Sequence, residues 1–130
     1  IQVRYINIRY KVVKPVARGK LETLTEQMYY LLLALHEPGH GYAIMERVRM
    51  LSRGRLELGP GTLYTLLGRF EREGLITLDR VEDTRKIYRL TAAGRETLER
   101  EYERLRRQVA DGAAVFGQMD GTEDTGKERG

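Results

Sequence analysis

The chain has 130 residues and contains no cysteine, which excludes disulfide bridges and cysteine-ligated metal sites. Hydrophobic residues make up 41% of it, enough for one domain with a core, and no apolar run approaches the roughly 18 residues of a membrane span. The net charge of +4 is uneven, because residues 1–20 are strongly basic, residues 21–116 are neutral and residues 117–130 are acidic. We expect a cytoplasmic protein, and if it binds a polyanion its cations must gather on one face.

Residues 1–20 have no helical period, and Pro15 and Gly19 interrupt their imperfect alternation. Three interpretations of this basic extension stay open: a flexible arm that touches a DNA backbone, a short added strand, or a segment without a role.

Two short helices are predicted next. Thr23 and Glu26 have the spacing of a capping box, and an apolar stripe follows at Met28, Leu31, Leu32 and Leu35. Pro38 ends this helix, since the residue before a proline avoids helical geometry. The second helix is predicted from Tyr42 to Ser52, and the alternation at residues 56–58 predicts a short strand.

The most informative stretch predicts a third helix that starts at Pro60, a residue suited to the first helical position. Its apolar face consists of Leu63, Leu66, Leu67 and Phe70. Gly74 lies where a helix commonly stops. Hydroxyl groups and arginines occupy the other face, and the free N–H groups of a helix N-terminus attract anions. Phosphate, and therefore nucleic acid, is the first ligand to consider.

A β-hairpin is predicted after this helix, with strands at 75–80 and 85–90 joined by a polar turn. The side chains expected to face the core are Ile76, Leu78, Tyr88 and Leu90. The cations of the hairpin are Arg80, Arg85, Lys86 and Arg89.

A long final helix is predicted after Thr91, its expected cap. A four-three alternation of about three heptads runs along it through Leu98, Tyr102, Leu105, Val109, residue 112 or 113, and Phe116. This seam is either a dimer interface or one face of an intramolecular core helix, and its length favours the dimer. Residues 117–130 lack an apolar period and are expected to be disordered.

The order of these elements predicts a mainly α protein with a small β-hairpin, which is the winged helix-turn-helix plan with a C-terminal dimerisation helix. We assign residues 21–91 to the winged helix and residues 92–116 to the dimerisation helix.

Several segments resemble the PadR family of transcriptional regulators. They are residues 24–30, 40–44, 58–64, 74–76 and 85–95, of which the Gly-Pro-Gly-Thr-Leu-Tyr run at 59–64 is the most specific. The resemblance covers about residues 21–110. It implies a homodimeric repressor that binds double-stranded DNA at a pseudo-palindromic operator, with the C-terminal helix packed on the partner's first helix. It also implies a small apolar or phenolic effector. The basic N-terminal extension and the acidic tail depart from the family's pattern.

The candidate DNA contacts combine the third helix and its entry, the hairpin cations and the start of the second helix: Tyr42, Gly59, Pro60, Gly61, Thr62, Tyr64, Thr65, Arg69, Arg80, Arg85 and Lys86. Several also have a structural interpretation: Tyr64 packing on the hairpin, Tyr42 belonging to the core, Thr62 capping the helix, Gly59 and Gly61 shaping a turn, and Arg85 and Lys86 remaining solvated. The candidate dimer surface consists of Leu98, Tyr102, Leu105, Val109, Phe116, Met28 and Leu32. An effector is expected in the apolar space between the facing helices.

Neither catalysis nor metal binding is indicated. Ser52 is the only serine, and His36 and His40 are separated by Pro38 and Gly39 and have no third ligand. We expect no enzyme activity, no cofactor and no metal. The alternative function is a winged-helix module that binds protein or RNA, which the neutral charge of residues 21–116 favours and the hairpin cations oppose.

Overall fold

The computed structural model describes the backbone of residues 23–129 and the side chains of residues 23–119. Within that range the elements are α1 (Glu26–Ala34), α2 (Gly41–Leu51), α3 (Pro60–Arg72), β1 (Ile76–Glu82), β2 (Arg85–Leu90) and α4 (Ala92–Arg129). The mainly helical architecture with one hairpin matches the prediction. The basic extension at 1–20 lies outside the described residues.

The first two helices meet at a tight corner. Thr25 has extended backbone geometry, and its hydroxyl accepts the Met28 N–H at 3.2 Å, so Thr25 caps α1 instead of the predicted Thr23. Arg47 in α2 donates to the carbonyl oxygens of Ala34 and Glu37 at 3.0 and 2.8 Å, and also binds the Pro38 carbonyl. Arg47 thereby satisfies orphan carbonyl groups at the end of α1 and fixes the corner.

The predicted strand at 56–58 is wrong, because this segment is an irregular loop. The Leu56 N–H donates to the Ser52 hydroxyl at 3.0 Å, so a side chain takes the place of a strand partner. The residue whose backbone pairs with the hairpin is instead Gly39. Its N–H and carbonyl bond to Tyr88 at 3.0 and 2.9 Å.

The hairpin is antiparallel and closes through a two-residue turn at Asp83 and Thr84. Both turn residues have positive φ, 49° and 65°, which is the geometry of a type I′ turn. An irregularity between Leu78 and Arg80 shifts the register at Asp79.

Leu78 does not belong to the core as predicted, although it pairs with the buried Tyr88. Its side chain is 43% exposed, and every later residue of β1 is exposed too. From Leu78 to the turn, β1 no longer packs on the helices. We call this projecting part of the hairpin the wing.

The core lies between the first three helices and the base of the hairpin. Its fully buried large side chains are Leu31, Leu32, Leu35, Ile44, Val48, Leu63, Leu67 and Phe70. The stripes predicted for α1 and α3 supply most of this set. Leu66 is half-buried at the edge of the cluster.

The start of α4 is anchored to the turn between α3 and β1. The Thr91 hydroxyl accepts the Gly94 N–H at 3.0 Å, as a cap does, and donates to the Gly74 carbonyl at 2.6 Å. A Cβ on Gly94 would overlap the Leu75 carbonyl oxygen, so this close approach requires glycine.

The backbone of α4 remains helical to Arg129, whereas the sequence predicts order only as far as Phe116. Helical hydrogen bonds are local, so a helix can continue where the apolar period has ended. None of the described helices is long and apolar enough to cross a membrane.

Candidate nucleic-acid interface

The N-terminus of α3 is open to solvent. Gly59 is the N-cap and makes no side-chain capping bond, and Pro60 occupies the first turn. Residues 59–62 and Thr65 are all exposed. Because Gly59 occupies the N-cap position, the hydroxyl of Thr62 does not cap the helix, which was the structural interpretation of Thr62 in the sequence. The first backbone N–H groups of α3 are therefore accessible to an anion.

Tyr64 extends from α3 toward the start of α2. A Cβ on Gly41 would clash with the Tyr64 hydroxyl, so glycine at 41 permits this contact. Tyr64 nevertheless remains 55% exposed, and Tyr42 beside it is 66% exposed. The two tyrosines belong to one surface although they come from different helices.

A groove of about 520 Å³ connects the start of α2, the exposed face of α3 and the wing. The residues that line it are His40, Gly41, Tyr42, Tyr64, Thr84, Arg85, Lys86 and Tyr88. None of these lining side chains is a carboxylate. Tyr88 is mostly buried, and burial raises the pKa of its phenol. It therefore forms a neutral floor beneath the basic rim.

The hairpin cations fall into two groups. Arg85 and Lys86 are exposed and have no carboxylate partner among the described residues. Arg80 instead bonds to Glu82 at 2.8 Å and to Asp79, and these hydrogen bonds raise its pKa. The charge of Arg80 is compensated locally, so the uncompensated cations of the wing lie on its second strand.

Arg69 is also paired. Its Nε donates to Glu73 at 3.0 Å, in the last turn of α3. The structure does not bring Arg69 or Arg80 to the groove, whereas Tyr42, Tyr64, Arg85 and Lys86 line it together. Gly59, Pro60, Gly61, Thr62 and Thr65 lie on the exposed part of α3 and its entry.

His40 is a groove residue that the sequence-based prediction missed. It is the N-cap of α2, where its Nδ1 accepts the Ala43 N–H at 3.2 Å. Its Nε2 lies 3.2 Å from Arg85 Nη1. The signal available in the sequence was a polar residue directly before a helix start, although nothing local indicates the contact with Arg85, 45 positions away.

The seam of α4 divides into two parts. Leu98 and Leu105 are half-buried. Tyr102, Val109 and Phe116 are 52%, 71% and 64% exposed, and Met119 continues the same spacing at 51%. An apolar stripe of this length in water is typical of an interaction surface.

Two residues of the predicted dimer surface are misplaced. Leu32 is fully buried and Met28 is 8% exposed, both within the core of their own chain. They present little area to a partner, because α1 directs its apolar stripe inward. Tyr29 and Tyr30 are the partly exposed aromatic side chains of α1, and their rings meet edge to face at 5.8 Å.

A smaller groove of about 270 Å³ lies between α1 and α4. Glu101 at this groove is only 4% exposed, and its carboxylate accepts from Arg104, including an Nε bond of 3.1 Å. The Arg104 hydrogen bond is the main reason why the pKa of Glu101 is lowered, with a further contribution from the Leu24 backbone. The pair itself lies within α4, and the contact of Glu101 with the Leu24 backbone links α4 to the segment before α1.

The fold consists of three packed helices, the third of which is exposed at its N-terminus, and a hairpin that projects after them. This arrangement defines a winged helix-turn-helix protein. A family model described as "Transcriptional regulator PadR-like family" matches residues 30–100. Since the match covers more than half of the chain, the protein belongs to the PadR-like family of transcriptional regulators.

Individual relatives agree with this assignment. "Transcriptional regulator Rv3488" of Mycobacterium tuberculosis is 44% identical over 68 residues, which are 48% of this chain and 64% of that protein. The chain spans less than two thirds of the length of the curated relatives it matches.

Two solved structures are similar in fold. A PadR-like transcription factor from Bacteroides fragilis has a TM-score of 0.52 and 33% identity, and the match covers 65% of this chain and 87% of that one. Bacillus subtilis PadR in complex with operator DNA has a TM-score of 0.50 at 24% identity, covering 56% of this chain and 44% of that one.

Proposed function

We propose that this protein is a DNA-binding transcriptional regulator that acts as a homodimeric repressor in the cytoplasm. The observation that carries the proposal is a single groove that Tyr64 of α3 lines together with the start of α2 and with Arg85 and Lys86 of the wing. Backbone amides and cations on one face fit the phosphates of a duplex, while small and hydroxyl side chains fit the groove between them. The fold neighbour solved on operator DNA supports the same ligand.

In this proposal α3 enters the major groove with its first turns. Thr62 and Thr65 are exposed there and carry hydroxyls that can reach base edges or phosphates. The wing places Arg85 and Lys86 on the adjacent backbone. The neutral total charge of residues 21–116 does not oppose this arrangement, because arginines elsewhere, such as Arg69 and Arg80, are paired with carboxylates.

We propose that dimerisation uses the exposed stripe of α4. Tyr102, Val109 and Phe116 repeat with heptad spacing and leave their apolar area in water in the single chain. A second copy covers this stripe with its own matching stripe and packs near Tyr29 and Tyr30 of α1. Two α3 helices related by a two-fold axis then meet successive major grooves about 34 Å apart, on a pseudo-palindromic operator.

We also propose that a small apolar or phenolic effector binds between the facing α4 helices, near Tyr102, Leu105, Val109 and Phe116. The support is an aromatic and aliphatic lining with one phenolic hydroxyl, which is typical of a small-molecule site. Titration with phenolic compounds should raise the melting temperature of the dimer; an unchanged melting temperature would argue against this site.

Selection of bound duplexes from a random pool at near-physiological ionic strength tests the DNA proposal. We expect a two-fold symmetric motif, since a symmetric dimer reads both half-sites alike. Sedimentation at micromolar concentration should show a dimer, and a monomer alone would contradict it. Enrichment of no duplex, together with binding to RNA or to a protein surface, would favour the alternative module.

A further inference from the structure

The imidazole of His40 has a hydrogen-bond donor beside each of its two ring nitrogens, and one neutral tautomer cannot accept from both. On one side Nδ1 lies 3.2 Å from the backbone nitrogen of Ala43 and caps α2. On the other side Nε2 lies 3.2 Å from Nη1 of Arg85 on the wing. Both neighbours are N–H groups, and neither can accept a hydrogen bond.

A neutral imidazole has one donor nitrogen and one acceptor nitrogen. If Nδ1 accepts the Ala43 N–H, then Nε2 carries the proton and faces the Arg85 guanidinium, donor against donor. If Nε2 accepts from Arg85 instead, Nδ1–H faces the Ala43 N–H and the cap is lost. Each tautomer therefore leaves one donor pair without an acceptor.

An oxygen acceptor that lies beside both groups and accepts from Nε2–H and from Arg85 resolves the conflict and keeps the helix cap. The residues that line the groove around them include Gly41 and Tyr42, in the first turn of α2, and Lys86. Among the described residues no carboxylate lines this groove, so that part of the lining supplies no anionic acceptor of its own. An anion with several oxygens matches this set of donors, and a backbone phosphate of duplex DNA has that chemistry.

We propose that His40 and Arg85 together hold one phosphate of the DNA backbone, with His40 donating through Nε2–H. This inference rests on the proposed DNA-binding function and adds a residue to its surface. The helix α2 positions the imidazole through the Ala43 cap, and the wing brings the guanidinium to it. One phosphate would thus connect the wing to the helix-turn-helix body.

The variant His40→Asn tests this assignment. Asparagine is a good N-cap, so α2 keeps its start, but its amide is too short to reach a phosphate held at Arg85. We expect operator and random duplexes to bind about ten- to a hundredfold more weakly, by the same factor, because a bound dimer loses one hydrogen bond in each protomer and each contributes about three- to tenfold. The salt dependence should stay the same, because a neutral donor releases no counterion, whereas Arg85→Ala should lower the slope by about 0.9 per protomer, or about 1.8 for the dimer.

The matched control is His36→Asn, which alters an exposed histidine at the end of α1 that bonds to the Leu33 carbonyl. Its duplex affinity should equal that of the unchanged protein. Thermal unfolding of His40→Asn should match as well, which separates loss of a contact from loss of the cap.

Long-range proton–nitrogen NMR spectra of the imidazole provide an independent measurement. We expect the Nε2–H tautomer in the free protein and a shift of Nε2, but not of Nδ1, on addition of duplex. An Nδ1–H tautomer, or full affinity in His40→Asn while the unchanged protein binds duplex, would overturn this assignment alone. Failure of the unchanged protein to bind any duplex would overturn the proposed function and this inference with it.

Discussion

The two phenylalanines of the chain lie in regions that use apolar side chains in opposite ways. Phe70 in α3 is fully buried among the helices of the winged-helix body. Phe116 in α4 is 64% exposed, together with Val109 at 71%. The core of the winged helix is filled by side chains of this chain alone. The second half of α4 leaves apolar area in water, which is the area that the proposed dimer would cover. The same residue type therefore stabilises folding in one region and, in the proposal, association in the other.

The largest expected effect is that of Phe70→Ala. Removal of a fully buried phenyl ring should lower the free energy of unfolding by about 3–5 kcal/mol, because both the buried area and the surrounding packing are lost. Urea denaturation followed by circular dichroism measures this. A loss below about 1 kcal/mol would mean that the body does not pack around α3 as described.

Phe116→Ala should act on association instead. Burial of one phenyl ring contributes about 1.5–3 kcal/mol, so the dimer dissociation constant should rise at least tenfold. Sedimentation equilibrium measures the constant. The control is Arg107→Gln, an exposed position on the opposite side of α4, which should leave it unchanged. Equal constants for the two variants would place the dimer contact elsewhere.

A smaller effect is expected on the salt dependence of DNA binding, which should differ between the wing cations without a carboxylate partner and the paired cation Arg80. Arg85→Ala and Lys86→Ala should each reduce the magnitude of the slope of log affinity against log salt by about 1.8 for the dimer, since each removes one phosphate contact per protomer at about 0.9 each. Arg80→Ala should change the slope less, because Asp79 and Glu82 already compensate that charge. Binding to random duplexes at several salt concentrations measures all three. Identical slopes for Arg80→Ala and Arg85→Ala would remove the distinction.

The smallest effect concerns the buried carboxylate that joins α4 to the body. Arg104 lowers the pKa of Glu101 in the folded chain, so the ionised group stabilises the fold above the ordinary glutamate pKa of about 4.3. That contribution disappears as pH falls through the lower folded value. Glu101→Gln should therefore lose less free energy of unfolding than the unchanged protein on acidification below about pH 5. Exposed Glu103→Gln serves as the control, and denaturation curves at each pH provide the measurement.

Local patterns were sufficient for the order and type of the main elements. Pro60 predicted the start of α3, Thr91 the cap of α4, and the polar residues near 83–84 the hairpin turn. The apolar stripe of α1 was also correct as a stripe. These features depend on backbone geometry and periodicity within a few residues, which a single sequence contains.

The local patterns failed where a second segment was needed to interpret them. The alternation at 56–58 resembled a strand, but the Ser52 hydroxyl took the place of a strand partner. The side chain of Leu78 was expected to be buried, and the hairpin had already left the helices at that residue. Periodicity gives the face of an element and does not show how far the neighbouring element extends.

The amino-acid order was enough to establish a winged helix with a long apolar seam, because helix caps, turns and periodic faces arise between near neighbours in the chain. Folding in three dimensions settled which groups are available for binding. It enclosed Met28 and Leu32, paired Arg69 and Arg80 with carboxylates, and left Arg85 beside His40. The physical reason is that burial and charge compensation depend on side chains that come together from distant positions.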